Sequence, residues 1–196
     1  MRSINSQAQN KIAEVIEAET ARFTAQCYEL YGIPPLGSLV RTGDIYGIVA
    51  GAATTGLEPG RKPVARGKDE ASEAAVYESS PQLARLLRSE FVALVVGHKE
   101  DSKLLQYLPP YPARIHSFVY LCQPDEVRNF GESPGFLNIL INSAMSPADE
   151  LTSAALRRMS RAYEDPYPFL IAAGKELAVL LSNQYDRLRI LLGRLR

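Results

Sequence analysis

From Thr20 onward apolar and polar residues alternate. Ala21, Phe23, Ala25 and Cys27 fall on one side of an extended chain, and Arg22, Thr24, Gln26 and Tyr28 on the other. That period of two is the signature of a half-buried strand, and Gly32-Ile33-Pro34-Pro35 ends it. The next stretch, Ser38 to Gly56 (SLVRTGDIYGIVAGAATTG), sets Thr42-Gly43-Asp44 between the apolar runs Leu39-Val40 and Ile45 to Ala50. Gly and Asp tolerate the positive φ of tight turns, so the pattern predicts a hairpin. Gly47 and Gly51 would weaken a flat strand but suit a strongly coiled one, as at a barrel corner. Ala74 to Tyr77 can restart a strand, and Pro81 to Arg88 predicts a short helix with Ser80 as its N-cap. Phe91 to Val96 (FVALVV) is apolar throughout and predicts a buried central strand, after which Gly97 to Asp101 leads into solvent. Ile115 to Leu121 (IHSFVYL) supplies a closing strand.

After about residue 122 the texture is helical. Pro124-Asp125-Glu126 opens one helix with acids at its positive end. Ser133-Pro134 opens a second containing FLNILI, and Ser146-Pro147-Ala148-Asp149 a third, with a serine cap and a carboxylate three residues on. The last helix is expected to be the longest, from about Pro168 to Arg196. Leu177, Leu181, Gln184, Leu188, Leu191 and Leu195 recur along it at alternating spacings of four and three, the seam of a heptad pattern. Two readings stand open: the seam packs on the preceding helices, or it receives a second chain.

The fold class that follows is α+β: a small closed β-barrel of five to seven antiparallel strands, then a C-terminal helical region. Residues 1–17 read as a flexible N-terminus, 18–122 as the barrel and 123–196 as the helices. Within the barrel, Gly56 to Ser72 carries three Gly, two Pro and seven charges. Such a stretch buries too little apolar surface to offset its ordering entropy, so a mobile loop over 56–72 is expected.

Composition narrows the function classes. Basic and acidic residues balance at 22 each, so no global charge draws the chain to nucleic acid or anionic lipid. Hydrophobic residues make up 46% of the chain, enough for a real core. No apolar run approaches the roughly 20 residues that cross a bilayer, and MRSINSQAQNKIAEV lacks the apolar core of a signal peptide. A cytoplasmic protein without membrane insertion is expected. Cys27 and Cys122 lie far apart in sequence and read as buried thiols in a reducing compartment.

Three stretches carry a resemblance: LVRTGDIYGIVAG, FVALVVGHKE, and LPPYPARIHSFVY leading into QPDEV. Over residues about 18–130 the chain resembles the HAS-barrel, the small barrel at the N-termini of F-type ATP synthase α and β subunits and of HerA-type DNA translocases. It is similar above all to stand-alone HAS-barrel proteins of cyanobacteria. The resemblance implies a barrel that mediates assembly, often of ring-shaped ATPases. It carries over no catalytic residue, because in those relatives the catalytic groups lie in a separate ATPase domain.

The residues themselves offer little chemistry. Gly60 to Asp69 superficially resembles a phosphate loop, but six residues separate Gly60 from Gly67-Lys68, Pro63 removes a donor, and Asp69 stands where a Mg²⁺-binding hydroxyl belongs. His98 reads as an exposed histidine at a strand end and His116 as a wall residue of the barrel or its cleft. Neither has a second histidine at metal-binding spacing. No G-x-S-x-G elbow exists, and acid pairs such as Glu100-Asp101 point apart. Catalytic, cofactor and metal residues are therefore expected to be none.

The expected function is a non-catalytic interaction module docking on a larger complex, with a protein partner or a second copy of the chain. The alternative is an accessory nucleic-acid-binding protein, resting on two basic clusters: Arg61, Lys62, Arg66 and Lys68, and Arg187, Arg189, Arg194 and Arg196. The first cluster lacks the interleaved aromatics that stack bases, and the second also suits a helix C-terminus. The candidate interaction surface is the stiff strip Pro109, Pro110, Tyr111 and Pro112, with Leu177, Leu181, Leu188 and Leu191 of the seam.

Overall fold

The computed structural model describes residues 11–58, 60, 62–145 and 147–195. Seven strands, β1 (Lys11–Ala18), β2 (Arg22–Cys27), β3 (Leu39–Thr42), β4 (Ile45–Gly56), β5 (Leu87–Glu100), β6 (Lys103–Leu105) and β7 (Phe118–Leu121), form one antiparallel sheet. Its pairings return on themselves. β1 pairs with β2, β2 with β5, β5 with β4, β4 with β3, β3 with β7, and β7 with β1. Six strands thus make a ring, and β6 hangs from β5 outside it.

Side-chain alternation fills both faces of the ring. Ala13 and Val15 of β1, Phe23 and Ala25 of β2, Val49 of β4, and Phe91, Ala93 and Val95 of β5 pack inside. The intervening residues of β4 and β5, including Tyr46, Ile48, Leu94 and Val96, pack against the helices. This is why FVALVV is continuously apolar: β5 is covered on both faces. The hairpin turn lies where expected, with Gly43 at φ +55° and Thr42 paired to Ile45. The β4–β5 register shifts between Tyr46 and Gly47 and again between Val49 and Gly51, so the two glycines mark the bends of a bulged strand. Gly47 also makes room: a Cβ there would stand 3.0 Å from both Phe23 and Ala93.

The helical layer comprises α3 (Pro124–Gly131), α4 (Phe136–Ile141), α5 (Ala148–Ser160), α6 (Tyr167–Leu180) and α7 (Tyr185–Gly193). Gln123 and Glu126 form a reciprocal capping box at the start of α3. Phe130, Phe136, Leu137, Leu140, Leu151, Leu156 and Met159 are buried from this layer against the ring. Each such side chain contributes about 1.5–3 kcal/mol relative to exposure.

Several expectations need correction. Residues 1–10 lie outside the described residues, but 11–17 are not a loose terminus. They belong to β1, held between β2 and β7 with Ala13 and Val15 fully buried. Ala74 to Tyr77 lies in a helix, α1 (Glu73–Ser79), because the Ser72 hydroxyl caps it by accepting from the Ala75 amide. The helix expected over Pro81 to Arg88 shrinks to one turn, α2 (Leu83–Leu86), since Leu87 and Arg88 already pair with β4. The long final helix breaks at Leu181 to Gln184, and α7 folds back to touch α5 and α6. Ser182 and Asn183 suit such a break, because short polar side chains can offer the backbone an alternative to the helix. The seam is accordingly interior. Leu177, Leu181 and Leu191 are fully buried in this chain's own core, and Leu188 packs partly buried against it.

Candidate functional site

β4 and β5 outrun the ring. The last β2–β5 pairing is Gln26 with Glu90, while the β4–β5 ladder continues through Thr54–Ser89 and Thr55–Arg88 to Gly56–Leu87. The 57–86 segment forms a cap on this two-stranded tip, containing α1 and α2. The 56–72 stretch is largely exposed, yet it makes contacts: the Leu57 amide donates to Leu86 O at 2.9 Å, and the Ser79 hydroxyl donates to Glu70 at 2.8 Å.

Tyr31 joins the cap to the body. Its backbone is left-handed, φ +65°, and its amide donates to the buried Ser89 hydroxyl at 2.8 Å, which also meets Thr54 Oγ1 at 2.8 Å. Its own hydroxyl hydrogen-bonds to that of Tyr77 on α1, with the rings edge-on. That bond raises the Tyr77 pKa above its ordinary value. Beneath the cap lies a cavity of about 480 Å³, lined by Leu57, Val64, Val76, Leu83 and Leu86, with Tyr31, Tyr77, Lys62 and Arg66 also on its lining.

Both histidines sit where the sequence reading did not put them. His98 is buried within β5, its Nδ1 3.2 Å from Tyr107 O and its ring edge-on to that of Tyr107. It anchors the approach to the proline strip. His116 is exposed at a left-handed turn, φ +67°, with Nδ1 2.6 Å from Glu14 Oε1. This hydrogen bond, chiefly, holds the Glu14 carboxyl below its ordinary pKa. Among the described residues no three His, Cys, Asp or Glu side chains converge as a metal site. The two thiols are free and buried in separate cores, and burial pushes Cys27 up to about 11 and Cys122 higher still. Neither is a nucleophile at neutral pH.

No protein-family model matches the chain, and no curated protein matches it. The site therefore rests on geometry.

Of the candidate interaction residues, Pro109 is buried, whereas Pro110, Tyr111 and Pro112 are exposed. Of the seam leucines, Leu177, Leu181 and Leu191 are buried in this chain's core and Leu188 packs partly buried against it. In the C-terminal basic cluster two arginines are paired and Arg189 is exposed. Arg187 pairs with Asp149 and Arg194 with Glu150, and Arg196 lies outside the described residues. In the loop cluster Arg61 also lies outside them, and Lys62, Arg66 and Lys68 are exposed.

A further surface was missed. α6 buries Phe169, Ala173 and Leu177 on one side. Its other side presents Tyr167, Pro168, Ile171, Ala178 and Val179 to solvent, with Lys175 as the single charge. Ile171 is 56% exposed and Val179 70%. Leu192 of α7 adjoins this face 3.7 Å from the side-chain position of Gly174. The signal was present in YPFLIAAGKELAVL, where apolar residues exceed what a single helix face can hold.

Proposed function

We propose that the chain is a non-catalytic assembly module of the HAS-barrel kind, a small closed barrel whose helical region docks on a larger cytoplasmic protein complex such as a ring ATPase. One observation carries the docking surface: α6 is apolar on both sides, and this fold covers only one. A helix apolar all round is ordinarily buried on all sides. Its 14 residues span about 21 Å, too short to cross a bilayer, and no described helix is long and apolar enough to do so. On this reading the occupant is a protein surface, apolar at its centre with an acidic group facing Lys175. The ring of six antiparallel strands followed by helices supports the HAS-barrel reading, as do the sequence stretches given above. The nucleic-acid alternative loses part of its support, because Arg187 and Arg194 are engaged in ion pairs, while the loop cations stay exposed without interleaved aromatics.

The test places a photo-crosslinking residue at Val179, and a control at exposed Asp101, in the full chain within its own cells. Adducts to a defined protein from position 179 but not 101 are expected. Ile171→Glu with Val179→Glu should abolish them while leaving the circular dichroism unchanged. No adduct at 179, or adducts unaffected by the double substitution, would refute the docking face.

A further inference from the structure

The cap over the β4–β5 tip has two helices and no buried residue in either. Units of this size hold together by enclosing apolar surface, and a two-stranded tip alone is marginal. Here the apolar side chains instead surround an open space. Leu57, Val64 and Leu86 are 41%, 77% and 49% exposed and all line the same cavity. In the body of the molecule, by contrast, the ring interior and the helical layer have closed cores. The cap is arranged around a core that its own residues do not fill.

We propose that this cavity binds a small amphiphilic anion, a carboxylate with an apolar body about the length of a medium-chain acyl group. Its volume of about 480 Å³ falls within the range of roughly 300–1,000 Å³ typical of small-ligand sites. The apolar body lies between Leu57, Val64, Leu83 and Leu86, against the Tyr31–Tyr77 pair. The head meets Lys62 and Arg66, the two exposed cations of the lining, which flank the 63–65 stretch. Among the described lining residues the cations Lys62 and Arg66 outnumber the one acid, Glu58, which disfavours a cationic head. The charge-assisted hydrogen bonds to a carboxylate set the orientation, tail inward. Binding supplies the missing core, so the cap becomes more rigid when the site is filled.

Isothermal titration with dodecanoate below its micellar range, read beside methyl shifts of Leu57, Val64 and Leu86, tests the proposal. Saturable one-to-one binding is expected, with shifts at those three residues and slowed amide exchange over 73–86. Dodecyltrimethylammonium and acetate should bind at least tenfold more weakly. Lys62→Glu with Arg66→Glu lies on an exposed loop, so folding is preserved. It should weaken dodecanoate about tenfold or more, the scale of a lost charge-assisted bond, while Leu86→Glu removes binding through the tail. No saturable binding of dodecanoate would overturn the proposal, as would equal affinity in the charge-reversed variant. Adsorption to phosphatidylglycerol vesicles without binding of the monomer would overturn it too, by assigning the basic loop to a lipid surface.

Discussion

Gly37 precedes β3 at the point where the ring touches the helical layer, and its replacement by alanine offers a measure of how closely the two are joined. Its φ is +81°, which costs an L-residue about 1–2 kcal/mol. Its amide donates to Val49 O at 2.9 Å, fixing the loop to β4. A Cβ would lie 2.4 Å from the Ala154 carbonyl carbon and 2.5 Å from the Ala155 amide nitrogen of α5. Carbon atoms in good contact sit about 3.5–4.0 Å apart, so loop and helix must separate by about 1 Å. Both obstacles are backbone, and no rotamer change relieves them. Overpacking of this sort costs about 1–3 kcal/mol. Gly37→Ala should then lose about 2–5 kcal/mol in urea unfolding, a large share of the roughly 5–15 kcal/mol of a typical domain. Gly43→Ala is the control. Its φ is +55° and nothing lies within 4 Å of the new Cβ, so only the backbone cost of about 1–2 kcal/mol remains. The difference between the two variants isolates the contact with α5. Equal losses would show that α5 does not rest on Gly37.

Two further outcomes are expected. Arg187 donates to both Asp149 carboxylate oxygens at 2.8 and 3.0 Å, to Ile141 O at 3.2 Å and to Gln184 at 3.0 Å; Arg187→Ala should cost about 1.5–3 kcal/mol. Lysine should recover little, because it cannot present the planar fork, and a double-mutant cycle with Asp149→Ala showing no coupling would contradict the assignment. The second outcome concerns pH. Glu14 has a folded-state pKa below its ordinary 4.5, so its contact with His116 contributes fully above that value and is lost as pH falls through the lowered one. In His116→Ala the Glu14 titration, followed by carboxyl NMR shifts, should move up toward 4.5; an unmoved midpoint would assign the lowering to Tyr28 or Lys11 instead.

Much of the sheet was legible because local chemistry and tertiary demand agree there. The alternation at Phe23, Ala25 and Cys27, the Gly43 turn and the run FVALVV each point to the same strand that packing selects. Disagreement arose where a partner distant in sequence decided the outcome. Lys11 to Ala18 looks polar at its start, yet pairing with β2 and β7 makes it a strand. His98 sits among charges in sequence, but β6 and Tyr107 cover it. For the last helix, periodicity continued through Ser182-Asn183-Gln184 without showing that the chain turns there. The leucine spacing picked out positions that are buried or partly buried, though Gln184 on the same seam is exposed, and it could not say which chain buries them. No local pattern announces the cavity beneath the cap, because its walls come from Tyr31, the end of β4 and two short helices.

The route by which the ring closes bears on how the chain is made. β1 is completed by β7, and Glu14 meets His116 across 102 positions of sequence. A ribosome adding about 5–20 residues per second leaves β1 without that neighbour for roughly 5–20 s, plus the time to clear the exit tunnel. During that interval β1 can pair only with β2, and its other edge stands bare, a template for any extended strand nearby. β3 waits beside it in the same condition, since β7 is the strand that seals both. Nascent chains should therefore be most vulnerable to misassociation until Leu121 emerges, and a chaperone that shields strand edges would matter more to yield than one that merely holds apolar surface.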